Sequence, residues 1–242
     1  MLFPAEANLV EAALNLAATL PENDEHTVAA AAMDANGEIY TGVNVYHFSG
    51  GPCAELVVLG IAAAQGSAPL VSIVAAGHDG RGILAPCGRC RQTLIDYFPD
   101  IAVIMPSWPG EEGPTSIRIS RLLPGTYRRP GRSSRPRVVY FSARYFDDVR
   151  LGRKTSTVRW NDPVELGPAT LVFEFAETPR SIPGEVLGIR AVQMATLMAE
   201  ADTAHGPGAG DQYLTALRQH YPDLNPEDQL EEVSFATRLD QI

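Results

Sequence analysis

The chain is poor in cysteine, in lysine and in positive charge, and it has no long apolar run. Its 242 residues hold three cysteines, Cys53, Cys87 and Cys90, all within two short stretches. Lys and Arg number 19 against 29 Asp and Glu, a net charge of −10. That balance argues against a general affinity for nucleic acid or acidic membranes. Only one basic residue, Lys154, is a lysine. No apolar run approaches the length of a membrane span. The start, Met1 to Glu6, has no basic segment and no apolar core, so no signal peptide is expected. What is present is ordinary: hydrophobic residues make up 45%, enough for normal cores. The length suits two domains.

The two cysteine stretches are Gly51-Pro52-Cys53-Ala54-Glu55 and Ala85-Pro86-Cys87-Gly88-Arg89-Cys90-Arg91-Gln92. A lone C-x-x-C is a weak signal, equally a redox pair or half a structural zinc site. A closed zinc site needs a fourth protein ligand, and the pattern supplies none. His47 and His78 are near enough in sequence to consider, but each reads better as a loop residue. Three thiolates suit Zn²⁺ with one open position. A water held there has its pKa lowered toward neutrality. Glu55 stands two residues after a ligand, placed to shuttle that water's proton. His or Cys two residues before Glu, then Pro-Cys-x-x-Cys, is the pattern of zinc nucleobase deaminases.

Tyr40 to Gly60 and Arg81 to Gln92 resemble the blasticidin-S deaminase branch of the cytidine deaminase family, and the resemblance runs from about residue 5 to Tyr127. It implies an α-β-α layered domain with a mixed sheet and a homotetramer with sites near subunit interfaces. It also implies substrate contacts from Asn44, Arg81 and Tyr127. In ordinary three-cysteine members an Arg follows the catalytic Glu and offsets thiolate charge. Leu56 stands there in this chain, and Arg91 is the candidate substitute. Nucleoside deaminases carry a ribose-binding Glu two residues after the Asn, where this chain has Tyr46. Arg128 and Arg129 replace the aromatic tail of the blasticidin enzyme.

Taken in order, residues 5–20 predict a helix, with Pro4 at its first turn and Leu9, Ala13, Leu16 and Leu20 at helical spacing. Strands are expected over Thr27 to Met33 and Glu38 to Val45, joined by Asp34-Ala35-Asn36-Gly37. A helix follows from Ala54 to Gln65, a strand from Leu70 to Ala76, and a helix from Gly88 to Phe98. Further strands are expected at Ile101 to Met105 and Thr115 to Ile119. All three cysteines then fall at or near helix N-termini, where the helix dipole favours thiolate.

Residues 128–137 read as a linker of Arg, Pro, Gly and Ser between domain 1–127 and domain 138–242. The second domain reads as strands at Val138 to Phe141, Ser156 to Trp160, Thr170 to Ala176, Gly184 to Val192 and Glu232 to Ala236. Helices are expected at Arg144 to Arg150 and Asp211 to His220. Many short strands suggest a small barrel. Gly152-Arg153-Lys154-Thr155-Ser156-Thr157-Val158-Arg159 resembles the signature of the ASCH domain, a PUA-like β-barrel. His220-Tyr221-Pro222 and Val233-Ser234-Phe235 are similar to it too. Some ASCH members hydrolyse N4-acetylcytidine with a Lys, a Thr and a Glu. The resemblance places Lys154, Thr157 and Asp202 in those roles, with Glu200 as the neighbouring carboxylate. Lys can lose a proton where Arg cannot. A Lys desolvated beside Arg159 would do so more readily.

The sequence therefore reads as an α/β zinc deaminase fused to an ASCH domain. Its expected substrate is a cytosine nucleoside or nucleoside antibiotic, and its expected cofactor Zn²⁺. The reduced thiols suit the cytoplasm, and no membrane partner is expected. The rival reading is an RNA- or partner-binding ASCH protein on a deaminase scaffold, and the acidic charge disfavours RNA.

Overall fold

The computed structural model describes residues 2–127 and 137–239. Two compact units make up the chain: Met1–Arg144 with Thr170–Ser181, and Tyr145–Ala169 with Ile182–Ile242. The predicted linker, residues 128–137, lies outside the described residues except for Arg137.

The first unit is built on a sheet of order β2-β1-β3-β5-β6, with β4 paired to β3. Its strands are β1 (Val28–Asp34), β2 (Ile39–Val43), β3 (Leu70–Gly77), β4 (Gly82–Leu84), β5 (Ala102–Met105) and β6 (Thr115–Arg118). The β3–β5 pair is parallel, and the others in this sheet are antiparallel. Strand β1 reads as an unbroken apolar run because both its faces are covered. Ala30 and Ala32 join the core beneath helices α2 (Ala54–Ala64) and α3 (Gly88–Tyr97). Ala29, Ala31 and Met33 join the core beneath α1 (Pro4–Ala18), which buries Leu9, Ala13 and Ala17. Pro4 opens α1, and the Glu6 carboxylate accepts from the Phe3 amide at 3.2 Å. The result is the expected α-β-α layering.

A short helix α4 (Ile119–Leu122) stands where the predicted strand was to end. Strand β7 (Arg137–Ser142) pairs with β9 (Gly167–Glu174), and Val138, Tyr140 and Val172 pack into the α1 core. Arg137 meets Asp100 in a bidentate pair of 2.7 and 2.6 Å.

The second unit holds α5 (Phe146–Arg150), preceded by the 3-10 turn Ala143–Tyr145, the strands β8 (Ser156–Arg159) and β11 (Gln229–Thr237), and β10 (Arg180–Gln193) from Ile182 onward. Strand β11 lies between β10 and β8, antiparallel to both. Helices α6 (Met194–His205) and α7 (Ala209–Arg218) share a core of Met194, Leu197, Leu214, Leu224 and Leu230, against which Val158 and Trp160 pack. Helix α6 was not expected from the sequence.

Candidate metal centre

Two loops that cross into helices bring the cysteines together. Cys53 is the extended residue before α2, and Cys87 the extended residue before α3. Pro52 and Pro86 precede them, holding each chain out of helical conformation just ahead of the helix. Cys90 lies one turn into α3 and is buried. Cys53 Sγ is 3.8 Å from Cys87 Sγ, and Cys87 Sγ is 3.5 Å from Cys90 Sγ. All three sulfurs lie within 4.8 Å of one another. A tetrahedral zinc with bonds of about 2.3 Å sets its sulfurs roughly 3.8 Å apart, so the donor set fits that ion.

Without a cation these sulfurs resist ionising together. Burial pushes the Cys90 thiol pKa up, and the nearby Glu55 carboxylate adds to the rise. Burial raises Cys53 as well. Burial opposes the Cys87 thiolate too, but hydrogen bonds from Cys90 and Arg89 outweigh it, and its pKa is lowered. A divalent ion compensates all three charges at once, which is why such a cluster folds around metal.

Glu55 sits in the first turn of α2 and is buried. It lines a cleft of ≈ 280 Å³ together with Cys53, Cys87, Asn44, Tyr46 and Leu84. Two of the sulfurs, those of Cys53 and Cys87, thus share one opening with the carboxylate, and the buried Cys90 sulfur lies behind them. The Asn44 side-chain oxygen accepts from the amides of Thr27 and Val28 at 2.7 and 2.8 Å. It pins the start of β1 while also forming cleft wall. Arg81 and Tyr127 are not among the cleft's lining residues. The Arg81 guanidinium donates to the His78 carbonyl of its own turn and to the Thr27 carbonyl just before β1. The Tyr127 ring is exposed, and its carbonyl accepts from Gln92 Nε2 at 3.0 Å. His47 bonds Ser49, and His78 pairs with Asp79 at 3.3 Å; neither joins the sulfur cluster.

The guanidinium that reaches a sulfur belongs to Arg89, not Arg91. Arg89 donates to the Gly51 carbonyl at 2.7 Å and stands 3.8 Å from Cys53 Sγ. Arg91 donates instead to the carbonyls of Pro86 and Leu122 at 2.9 and 3.1 Å, tying α3 to α4. The signal for Arg89 was its place between the two cysteines of the C-x-x-C, on the helix turn that carries both.

The remaining candidates lie in the second unit. Lys154 Nζ sits 4.7 Å from the centre of the Tyr145 ring, a cation–π distance. Thr157 lies on β8 opposite Val233. The Asp202 carboxylate, on α6, accepts from the Gly210 amide at 2.9 Å and so holds α6 to α7. Glu200 meets Arg190 at 3.4 Å, and Arg190 also meets Glu232 at 2.8 Å. Among the described residues, no helix is long and apolar enough to cross a membrane.

Comparison with known proteins bears on the first unit. Residues 5–105 match the family described as the cytidine and deoxycytidylate deaminase zinc-binding region. Cys53, Glu55, Cys87 and Cys90 all fall inside that match. The chain is 32% identical over 109 residues to a blasticidin-S deaminase of Bacillus cereus, covering 41% of this chain and 78% of the relative. It is 40% identical over 73 residues to a cytidine deaminase of Mycobacterium tuberculosis, covering 29% of this chain and 53% of that one. A crystal structure of a variant of the M. tuberculosis enzyme aligns at 28% identity, covering 51% of this chain and 98% of that chain, with a TM-score of 0.43.

Proposed function

Because the chain belongs to the cytidine and deoxycytidylate deaminase family, we propose that its first unit hydrolytically deaminates the cytosine ring of a nucleoside or a blasticidin-S-type nucleoside antibiotic. The observation that carries this reading is one site: three sulfurs within 4.8 Å of one another, two of them, from Cys53 and Cys87, lining the same cleft as the buried Glu55. Cys53, Cys87 and Cys90 would hold zinc. When bound, that ion supplies a Lewis acid that makes a water acidic near neutral pH. Glu55 takes the proton from the attacking water and delivers it to N3 of the ring as oxygen adds to C4. It then takes the proton of the hydroxyl added at C4 and passes it to the exocyclic nitrogen, so that the C4 carbonyl forms as the C4–N bond breaks and ammonia leaves. Arg89, beside Cys53, offsets part of the thiolate charge. Asn44 and Tyr46 form the cleft wall that the substrate's sugar or sugar-like part meets. Arg81 and Tyr127 would take part only if their side chains swing toward the cleft when substrate binds. Assembly as a homotetramer and a cytoplasmic location belong to the same proposal.

The test is an ammonia-release screen of zinc-loaded protein against cytidine, deoxycytidine and blasticidin S. Release from at least one is expected; protein with full zinc that releases none would end the reading. For the second unit we propose an ASCH domain acting on N4-acetylcytidine through Lys154 and Thr157. That part rests on the signature at residues 152–159 alone.

A further inference from the structure

The three cysteines of the metal centre are not equally open to solvent. Cys87 is exposed, Cys53 half-buried and Cys90 buried. Cys87 and Cys53 line the cleft, and the Cys90 sulfur lies behind them. A small molecule entering the cleft therefore meets the first two sulfurs before the third. Cys87 reaches both of the others: its Sγ is 3.5 Å from Cys90 Sγ and 3.8 Å from Cys53 Sγ.

The shorter of these gaps lies within one helical turn. Cys87 is the residue before α3, and Cys90 is the third residue of that helix. A disulfide has an S–S length of about 2.05 Å. Closing the 3.5 Å gap to that length moves no element against another, because both cysteines ride on the same turn. Cys53 stands on a different loop, before α2, with Arg89 Nη2 3.8 Å from its sulfur. An accessible sulfur with a second thiol in reach behind it is the arrangement of reversible thiol oxidation.

We propose that Cys87 and Cys90 are a site of reversible oxidation: a peroxide joins them as a disulfide, and the metal site is dismantled. This rests on the reading of Cys53, Cys87 and Cys90 as zinc ligands. The Cys87 sulfur attacks one peroxide oxygen, the O–O bond breaks, and the departing oxygen is protonated to water. Cys87 then carries a sulfenic acid. The Cys90 sulfur attacks the Cys87 sulfur, the S–S bond forms, the S–O bond breaks, and a second water leaves. The two sulfurs together have lost two electrons, and one hydrogen peroxide has become two waters. The protons come from the thiols or from solvent. A disulfide sulfur is no longer a thiolate donor, so Cys53 alone is left of the ligand set and the site gives up its metal. A dithiol reductant reverses the bond and restores the three ligands.

The experiment exposes zinc-loaded full-length protein to a roughly tenfold molar excess of hydrogen peroxide. A chromogenic chelator reports released zinc, a thiol reagent counts the thiols that remain, and non-reducing peptide mapping by mass spectrometry locates the disulfide. Loss of about two thiols and release of about one zinc per chain are expected, with Cys87 joined to Cys90. Dimedone present during a brief exposure should mark Cys87 and neither of the other cysteines. Dithiothreitol with added zinc should restore the metal content. The proposal is overturned if zinc-loaded protein keeps its metal under peroxide, if the disulfide joins Cys53 or a second chain, or if dithiothreitol fails to restore the site. Each of those outcomes leaves the deaminase reading standing. Protein that never takes up zinc overturns the metal reading and this proposal together.

Discussion

Replacing Glu55 by Gln keeps the side chain's shape and removes its ability to take a proton. Zinc should stay, because Glu55 is not one of the three sulfur ligands. Turnover should fall by about 10²–10⁴, the range of positioned acid–base catalysis. Parallel zinc analysis and kinetics check this, and turnover within about tenfold of wild type would remove Glu55 from the chemistry. Cys90→Ala acts differently. It takes away a buried sulfur that sits with the other two within 4.8 Å, so metal and stability should be lost together. Elemental analysis and a melting curve check it; full zinc occupancy in the variant would show the ligand set to be wrong. At this scale the sequence was legible where residue type alone dictates chemistry. Three cysteines and a glutamate in that spacing have few other uses. Partnerships set by side-chain reach were not legible. Arg89 and Arg91 are two positions apart on α3 and chemically identical. Only the fold shows that one meets Cys53 while the other meets backbone carbonyls.

The elements that aim the site are α2 and α3, and α2 is held close to β2 by the lack of a side chain at Gly42. A Cβ there would lie 2.9 Å from the Val58 amide nitrogen and 3.1 Å from Val57 Cγ1. Backbone cannot give way as a flexible side-chain tip can, so Gly42→Ala must push β2 and α2 apart. Overpacking of this kind costs about 1–3 kcal/mol, and each kcal/mol lowers the midpoint by roughly 2–4 °C in a protein of this size. Because α2 begins at Cys53 and Glu55, turnover should fall with the midpoint. An unchanged melting curve would show that the two elements are not in close contact. Elements with strong periodicity or firm punctuation were read to within a few residues, as with α2 and its stop near Gly66. Two others left weak marks. Strand β4 has three residues, too few for a period. Helix α6 follows β10 directly, without a proline or glycine between them, and buries only Met194 and Leu197. Its apolar stripe is therefore too thin to announce a helix.

At the scale of the whole chain, the first unit does not end where the cysteine-bearing segment ends. It takes in residues 137–144 and 170–181, whose Val138, Tyr140 and Val172 pack into the α1 core. This was not legible beforehand, because the apolar pattern of β7 and β9 does not say which core they join. A chain cut after Tyr127 loses those contacts and the Arg137–Asp100 pair. It should melt well below the full-length protein; an equal midpoint would show that the later strands contribute nothing to this unit. The last question is why the two resemblances share one chain. An acyl group on N4 blocks deamination, since the exocyclic nitrogen must leave as ammonia. Hydrolysis of the amide in N4-acetylcytidine gives acetate and cytidine, and cytidine is the kind of ring the zinc cleft would accept. We hypothesise a two-step salvage on this basis: Lys154 and Thr157 act first, Glu55 second. Asp202 is the weak point, because its carboxylate already accepts from the Gly210 amide. Chromatography of N4-acetylcytidine incubated with each protein separates the steps. Wild type should yield uridine, and Glu55→Gln should accumulate cytidine. Lys154→Ala should leave the acetylated compound untouched while still deaminating free cytidine. Wild-type protein that deaminates cytidine and ignores N4-acetylcytidine would leave the zinc reading intact and remove the amidase from the second unit.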